Sequence, residues 1–182
     1  MYYKAYYESP VGRLTLVSDE ENLIGLWMEG QKYFESTLSA VERQQNEQLP
    51  AGSPVLRAAE SWLDRYFAGE KPAISELPLA PAGSAFRQQV WKLLCEIAYG
   101  EVVTYGELAG RLADQLGREK MSAQAIGGAV GHNPISIIIP CHRVVGADGS
   151  LTGYAGGVER KAWLLELERM PAEGKKLDAG IK

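Results

Sequence analysis

The residues Pro140-Cys141-His142-Arg143 place a thiol, an imidazole and a guanidinium in consecutive positions. A cysteine thiolate is a soft, strong nucleophile, and an adjacent cation favours it over the thiol. The chemistry within reach is attack of sulfur on an electrophilic carbon. The apolar run Ile135-Ser136-Ile137-Ile138-Ile139 delivers the thiol to this point. Proline lacks a backbone donor and fixes φ, so the run is expected to pair as far as Pro140 and turn there. In a regular strand Cys141 and His142 would face opposite sides, which argues against a direct bond between them. Taken alone, a Cys-His dipeptide more often marks a buried structural cysteine beside a surface histidine.

The flanks carry more information. Gly127-Gly128-Ala129-Val130-Gly131-His132-Asn133-Pro134 precedes the run, and Gly149-Ser150-Leu151-Thr152-Gly153-Tyr154-Ala155-Gly156-Gly157 follows the thiol. Each glycine inside a helix costs about 1 kcal/mol relative to alanine. A helix of small residues is useful where a backbone must approach another surface closely. The later glycine-rich segment could form a mobile pocket wall, with Tyr154 offering a ring and a hydroxyl. The ordinary alternatives are tight helix packing for Gly127 and Gly128 and a surface turn for 149–157. The second thiol, Cys95, sits on a helix with Trp91 and Ala98 and reads as plain packing.

The elements that must position these groups follow from local pattern. Tyr2–Tyr7, Leu14–Val17 and Leu23–Met28 alternate and are joined by turns at 9–12 and 19–22, which predicts a three-strand antiparallel meander. Residues 42–53 are polar and irregular. Ser53-Pro54 has the form of an N-cap with proline in the first helical position. Val55, Leu56, Ala59, Trp62, Leu63, Tyr66 and Phe67 recur at helical spacing up to a stop at Gly69. Residues 69–84, with three prolines, are the linker candidate. Phe86, Val90, Leu93, Leu94 and Ile97 mark a helix ending by Gly100. Thr104 caps a second, Tyr105–Ala113, and Ser122 caps a third, Ala123–Gly131. Short helices after a longer one suggest a helix-turn-helix-like arrangement. The fold class is α+β: a small N-terminal antiparallel sheet with a helix, joined to a C-terminal helical domain.

Bulk properties narrow the function classes. In 182 residues, 46% hydrophobic and 23% charged is a globular balance, which excludes collagen-like and disordered chains. No apolar run reaches the length of a membrane span, and residues 1–8 lack the apolar core of a signal peptide. Two cysteines without a CxxC pair suit a reduced, cytoplasmic thiol protein rather than a disulfide scaffold or zinc module. Residues 1–80 carry 7 Lys+Arg against 12 Asp+Glu (−5), and residues 81–182 carry 12 against 11 (+1). Overall acidity argues mildly against a polyanion partner and leaves the second half as the only credible half for one.

Taken together, Gly127-Gly128-Ala129, Asn133-Pro134, Pro140-Cys141-His142-Arg143-Val144-Val145, Gly153-Tyr154-Ala155-Gly156-Gly157 and Lys161-Ala162-Trp163-Leu164-Leu165 resemble the O6-alkylguanine-DNA alkyltransferase family. Phe86–Trp91 and Val102–Leu108 extend the resemblance, which covers roughly residues 84–170. It implies a ribonuclease-H-like α+β domain at 1–80, a winged helix-turn-helix-like alkyltransferase domain at 81–170 and a tail at 171–182. It also implies single-turnover repair of double-stranded DNA, in which an alkyl group moves from O6 of guanine to Cys141, with O4 of thymine as a second donor. The resulting thioether is not released. No cofactor or metal is expected, nor a membrane partner, and the protein is expected to be a monomer.

By the same resemblance, His142 acts on Cys141 through a bridging water, Glu168 orients and stabilises the imidazolium, and Asn133 pins the turn before the active-site segment. Tyr105 presses on the target phosphate, while Tyr154 and the backbone near Val144 and Ala155 read the flipped base. The helix carrying Ala123, Gln124, Gly127 and Gly128 enters the minor groove. Gln124 stands where the family commonly has the arginine that fills the vacated stack. It is expected to be solvent-exposed. Residues 106–123 are longer than in compact members, and residues 1–80 contain no Cys or His, which excludes the structural zinc of some relatives there. Two other classes compete: a helix-turn-helix protein that binds lesions and recruits repair factors without reacting, and a cysteine hydrolase, for which the Cys-His spacing offers no support.

Overall fold

The computed structural model describes residues 1–45 and 52–171 of the chain. The expected tail lies outside these residues except for Pro171. Strands β1 (Tyr3–Ser9), β2 (Gly12–Ser18) and β3 (Leu23–Met28) form an antiparallel sheet in the order β1-β2-β3. The central strand is apolar on both faces. Leu14 and Leu16 enter the main core, while Val17 joins Trp27 and Leu38 in a smaller cluster. Polar residues 42–45, read as irregular, belong to a short helix, α1 (Ala40–Gln45). Ser39 starts it, exchanging bonds with Glu42 in both directions, a local cap that the apolar pattern does not report.

Helix α2 (Pro54–Phe67) begins where its cap predicts, with the Ser53 hydroxyl accepting from Val55 and Leu56 N–H. Its buried stripe of Leu56, Ala59, Trp62, Leu63 and Tyr66 covers the sheet. Each large side chain in such a stripe contributes about 1.5–3 kcal/mol by leaving water. Residues 69–84 are no free linker. Leu23 N–H donates to the Pro78 carbonyl at 2.8 Å and Ala80 N–H to the Leu23 carbonyl at 2.9 Å, so the segment is laid along the edge of β3. Sheet edges leave donors and acceptors unpaired, and this crossing satisfies part of that edge.

The second half is helical: α3 (Ala85–Cys95), α4 (Tyr105–Gln115), α5 (Ala123–Gly131) and α6 (Val158–Arg169). Serine or threonine caps open the first three. Thr104 and Glu107 make a reciprocal capping box, and Ser84 and Ser122 each accept one N–H. The buried indole of Trp91 donates to the Ala129 carbonyl at 2.9 Å and ties α3 to α5. Two-residue strands β4 (Val103–Thr104) and β5 (Val144–Val145) pair in parallel and fix the chain leaving the thiol against the start of α4. Residues 116–122 form the loop between α4 and α5. No helix among the described residues is long and apolar enough to cross a membrane.

Candidate active site

Cys141, His142 and Arg143 form one turn of 3-10 helix rather than the end of a strand. Asn133 is the cause. Its Nδ2 donates to the carbonyls of Ile139 at 2.8 Å and Ile135 at 3.3 Å, and its Oδ1 accepts from Ile135 N–H at 3.0 Å. The apolar run is thus wound around one side-chain amide, and only its first part meets the sheet, where Ser136 N–H donates to the Leu26 carbonyl. Ile137 has φ 70°, a left-handed conformation that β-branched residues rarely adopt. Complete burial of Ile135, Ile137 and Ile138 offsets that cost. A 3-10 turn rotates successive residues by about 120°. Thiol, imidazole and guanidinium leave the turn in different directions, and the last two then meet at Glu168.

Arg143 does not serve the thiol. Its Nε donates to Glu168 Oε1 at 2.6 Å and its Nη1 to the Ile97 carbonyl at 2.7 Å. The cation that acts on Cys141 is Lys161, a residue with no accessible surface, whose Nζ donates to the Val144 carbonyl. Burial lowers the Lys161 pKa to about 8, against the pull of Cys141. Burial also raises the pKa of Cys141, outweighing the Asn133 amide and the Lys161 cation. The expectation of a thiolate favoured by its sequence neighbours is corrected: burial pushes the thiol up, because desolvation exceeds the electrostatic help.

His142 is fully buried, and its Nε2 bonds to Glu168 Oε2. Glu168 also accepts from the Tyr66 hydroxyl at 2.9 Å and from Gly100 N–H at 3.2 Å. Burial pushes its carboxyl upward, but His142 and Arg143 outweigh that and hold it at about 2. An ionised carboxylate only accepts hydrogen bonds, so Nε2 carries the imidazole hydrogen and Nδ1 presents a lone pair. Nδ1 is buried and has no partner among the described residues. Burial lowers the His142 pKa against the pull of Glu168, which favours the neutral imidazole with an unprotonated Nδ1. Gly100 approaches the end of α6 with φ 81°, where a Cβ would lie 3.2 Å from the Glu168 carbonyl.

Helix α6 supplies both ends of this arrangement. Lys161 and Glu168 are seven residues apart, so they share one face across two turns, about 10 Å along the axis. Leu164 and Leu165 lie between them in the same buried stripe. Two charged residues at i and i+7 on an apolar face were the sequence signal for Lys161. Tyr66 gave no such signal, because it occupies an ordinary core position of α2.

The remaining predicted residues gather on a more open side. Gly127, Gly128, Tyr154 and Ala155 line one cavity of about 200 Å³. Tyr105 packs beside it and its hydroxyl donates to the Thr152 carbonyl at 3.0 Å. A Cβ at Gly153 would meet that hydroxyl at 2.9 Å, so this left-handed position needs glycine. Tyr154 is buried, and its hydroxyl is directed at the Met28 sulfur rather than into the cavity. Val144 is buried in β5 and holds Lys161 through its carbonyl. Ala123 and Gln124 are exposed on the first turn of α5, as expected for Gln124. A Cβ on Gly128 would meet nothing, and one on Gly127 only the Tyr105 ring at 3.9 Å. Packing within the protein therefore does not require either glycine. Cys95 is half-buried, and burial raises its pKa to about 11. Among the described residues, no group of three or more His, Cys, Asp or Glu could hold a metal ion.

Comparison with known proteins agrees along the chain. Residues 1–81 match the ribonuclease-like domain, and residues 85–170 the DNA binding domain, of 6-O-methylguanine DNA methyltransferase. A methylated-DNA–protein-cysteine methyltransferase of Haemophilus influenzae is 46% identical, over 93% of this chain and 87% of that protein. One from Methanosarcina acetivorans is 46% identical, over 92% and 98%. The solved Mycobacterium tuberculosis O6-methylguanine methyltransferase superposes with a TM-score of 0.76 at 43% identity, covering 94% of this chain and 96% of that one. The M. tuberculosis OGT crystallised with DNA gives 0.73 at 41% identity, covering 92% of each. With fold, identity and coverage in accord over both halves, the chain belongs to the 6-O-methylguanine DNA methyltransferase family.

Proposed function

We infer that this protein is a methylated-DNA–protein-cysteine methyltransferase whose acceptor is Cys141. Sulfur attacks the alkyl carbon on O6 of guanine. The S–C bond forms as the C–O bond breaks, and the electron pair leaves with the base, restoring guanine. The thiol proton passes to His142 Nδ1, through water as the family resemblance implies. Glu168 stabilises the imidazolium that results, and Lys161 stabilises the developing negative charge on sulfur. The observation that carries this reading is the buried His142–Glu168 pair beside a buried thiol, which leaves Nδ1 without a partner among the described residues on a base of fixed orientation.

The partner is double-stranded DNA containing O6-alkylguanine, with O4-alkylthymine as a second donor. Residues 81–170 carry the chemistry and DNA contact, and residues 1–80 support them. Ala123, Gln124, Gly127 and Gly128 meet the minor groove, and the absence of any internal need for glycine at 127 and 128 supports close approach from outside. A flipped base enters beside Tyr154, Ala155 and Val144, with Tyr105 on its phosphate. Two free thiols suit a reducing cytoplasm, and a relay completed within one chain suits a monomer. No cofactor takes part in this scheme.

Incubation with duplex bearing labelled O6-methylguanine, followed by peptide mass mapping, tests the reading. One methyl per molecule on the Cys141 peptide is expected. Turnover beyond one equivalent, label on Cys95, or tight lesion binding without transfer would overturn it.

A further inference from the structure

The cavity beside Tyr154 has a wall that the C-terminal half does not supply. Lys32 and Tyr33, from the segment after β3, line it together with His132, Gly128, Tyr154 and Ala155. The Tyr33 ring stacks on His132 with centroids 3.8 Å apart and planes 24° apart. His132 is held in turn by its Nδ1 contact to the Gly128 carbonyl at 2.6 Å.

The placement of Tyr33 is enforced from both sides. Lys32 N–H donates to the Ala155 carbonyl at 3.0 Å, which ties the segment to the glycine-rich wall. Just before it, the Gln31 amide oxygen accepts from Met28 N–H and from the Ser136 hydroxyl. Just after it, Phe34 packs on Trp27, and Glu35 pairs with Lys4 at 2.9 Å. Tyr33 has φ 59° and Glu35 φ 52°, left-handed conformations that non-glycine residues seldom adopt. An aromatic residue in a strained conformation, with 47% of its surface exposed, buries little apolar area in return. What the strain achieves is the stack on His132 at the mouth of the cavity.

We propose that Tyr33 is a specificity-determining residue, and that its stack on His132 sets the largest O6 substituent the cavity admits. The proposal rests on the reading of this cavity as the place of the flipped base. The cavity, at about 200 Å³, must hold the base and its substituent together. The opposite walls are backbone of α5 and the buried Tyr154, which packs into the core. The Tyr33 ring, half exposed and on a separate segment, is the wall whose removal adds volume without unmaking the relay.

The experiment compares alkyl transfer from O6-benzylguanine and O6-methylguanine, each presented in duplex and as the free base. Tyr33→Ala should raise the benzyl-to-methyl rate ratio about tenfold, the scale expected when a pocket gains room for a few carbon atoms. Tyr33→Phe, which keeps the ring, should retain the wild-type ratio. His132→Ala frees the stack from the other side and should raise the ratio in the same direction, which provides a second test should Tyr33→Ala not fold. An unchanged ratio in both alanine variants would overturn the proposal. So would a change confined to duplex substrates, since that would make Tyr33 a DNA contact. Failure of the wild-type protein to methylate Cys141 at all would instead sink the function on which the proposal depends.

Discussion

The two ends of the site are built on opposite principles. Around Glu168 every carboxylate oxygen is engaged, by His142, Arg143, Tyr66 and Gly100, and the cluster is almost wholly buried. On the outer face of α5 Ala123, Gln124 and Gly128 are exposed, and the glycines at 127 and 128 have room to spare. The first region is complete before substrate arrives. The second is left incomplete so that substrate can complete it. Under the proposed mechanism reactivity belongs to the buried end, where low dielectric and fixed dipoles act without reorganising, and recognition to the open end. Variants at the buried end should therefore change the rate on every substrate. Those at the open end should change it only where a duplex must be opened.

The largest break is Cys141→Ser, which should leave no transfer detectable by intact mass, with the fold retained by circular dichroism. Glu168→Gln keeps the shape but removes the charge that supports His142. Transfer from duplex and free base alike should slow by about 10²–10⁴-fold, the usual range for losing a supported general base, while duplex affinity stays near the wild-type value. A stability effect accompanies it. The Glu168 pKa is about 2 in the folded protein, below the ordinary 4.5, so its contribution is fully present above pH 4.5 and is lost as pH falls through 2. Acid titration of the glutamine variant should lack that part of the loss. A variant that slows duplex repair alone would show that Glu168 belongs to recognition.

Lys161 sharpens the comparison from within the buried end. Its pKa of about 8 means that its charge disappears as pH rises through that value. Transfer from the free base should decline above pH 8 in the wild type, and Lys161→Met should be slower at pH 7 and lack the decline. A wild-type rate that keeps rising with thiol ionisation would remove Lys161 from the mechanism. The smallest effects belong to Gln124. Gln124→Ala should lower the duplex rate a few-fold and leave the free-base rate unchanged. Gln124→Arg should tighten duplex binding and steepen its salt slope by about 0.9 if it adds one phosphate contact. Equal loss on both substrates for the alanine variant would place Gln124 in the pocket or the fold.

What the sequence disclosed was local. Ser53-Pro54, Thr104 and Ser122 announced helix starts, because a cap is a bond between residues two or three apart. The three strands were legible from alternation and their turns. The segment 135–145 was not. An unbroken apolar run carries no period, and its path is dictated by the Asn133 amide folding back on Ile139. His142 and Glu168 were paired from motif resemblance alone. Arg143 was misassigned to the thiol because adjacency in sequence is not proximity on a 3-10 turn. Tyr66 meets Glu168 across 102 residues, a contact no periodicity reports.

The edge of β3 is joined to two later segments by main-chain bonds: Leu23 with Pro78 and Ala80, and Leu26 with Pro134 and Ser136. Such bonds dictate the path of the chain and are indifferent to the side chains along it. The sheet can therefore accumulate substitutions, and even exchange much of its surface, while still holding Asn133 and the turn behind it in register. A proline at Leu26 would delete one donor of this edge, and with it part of the hold on Asn133, without touching a single reactive group.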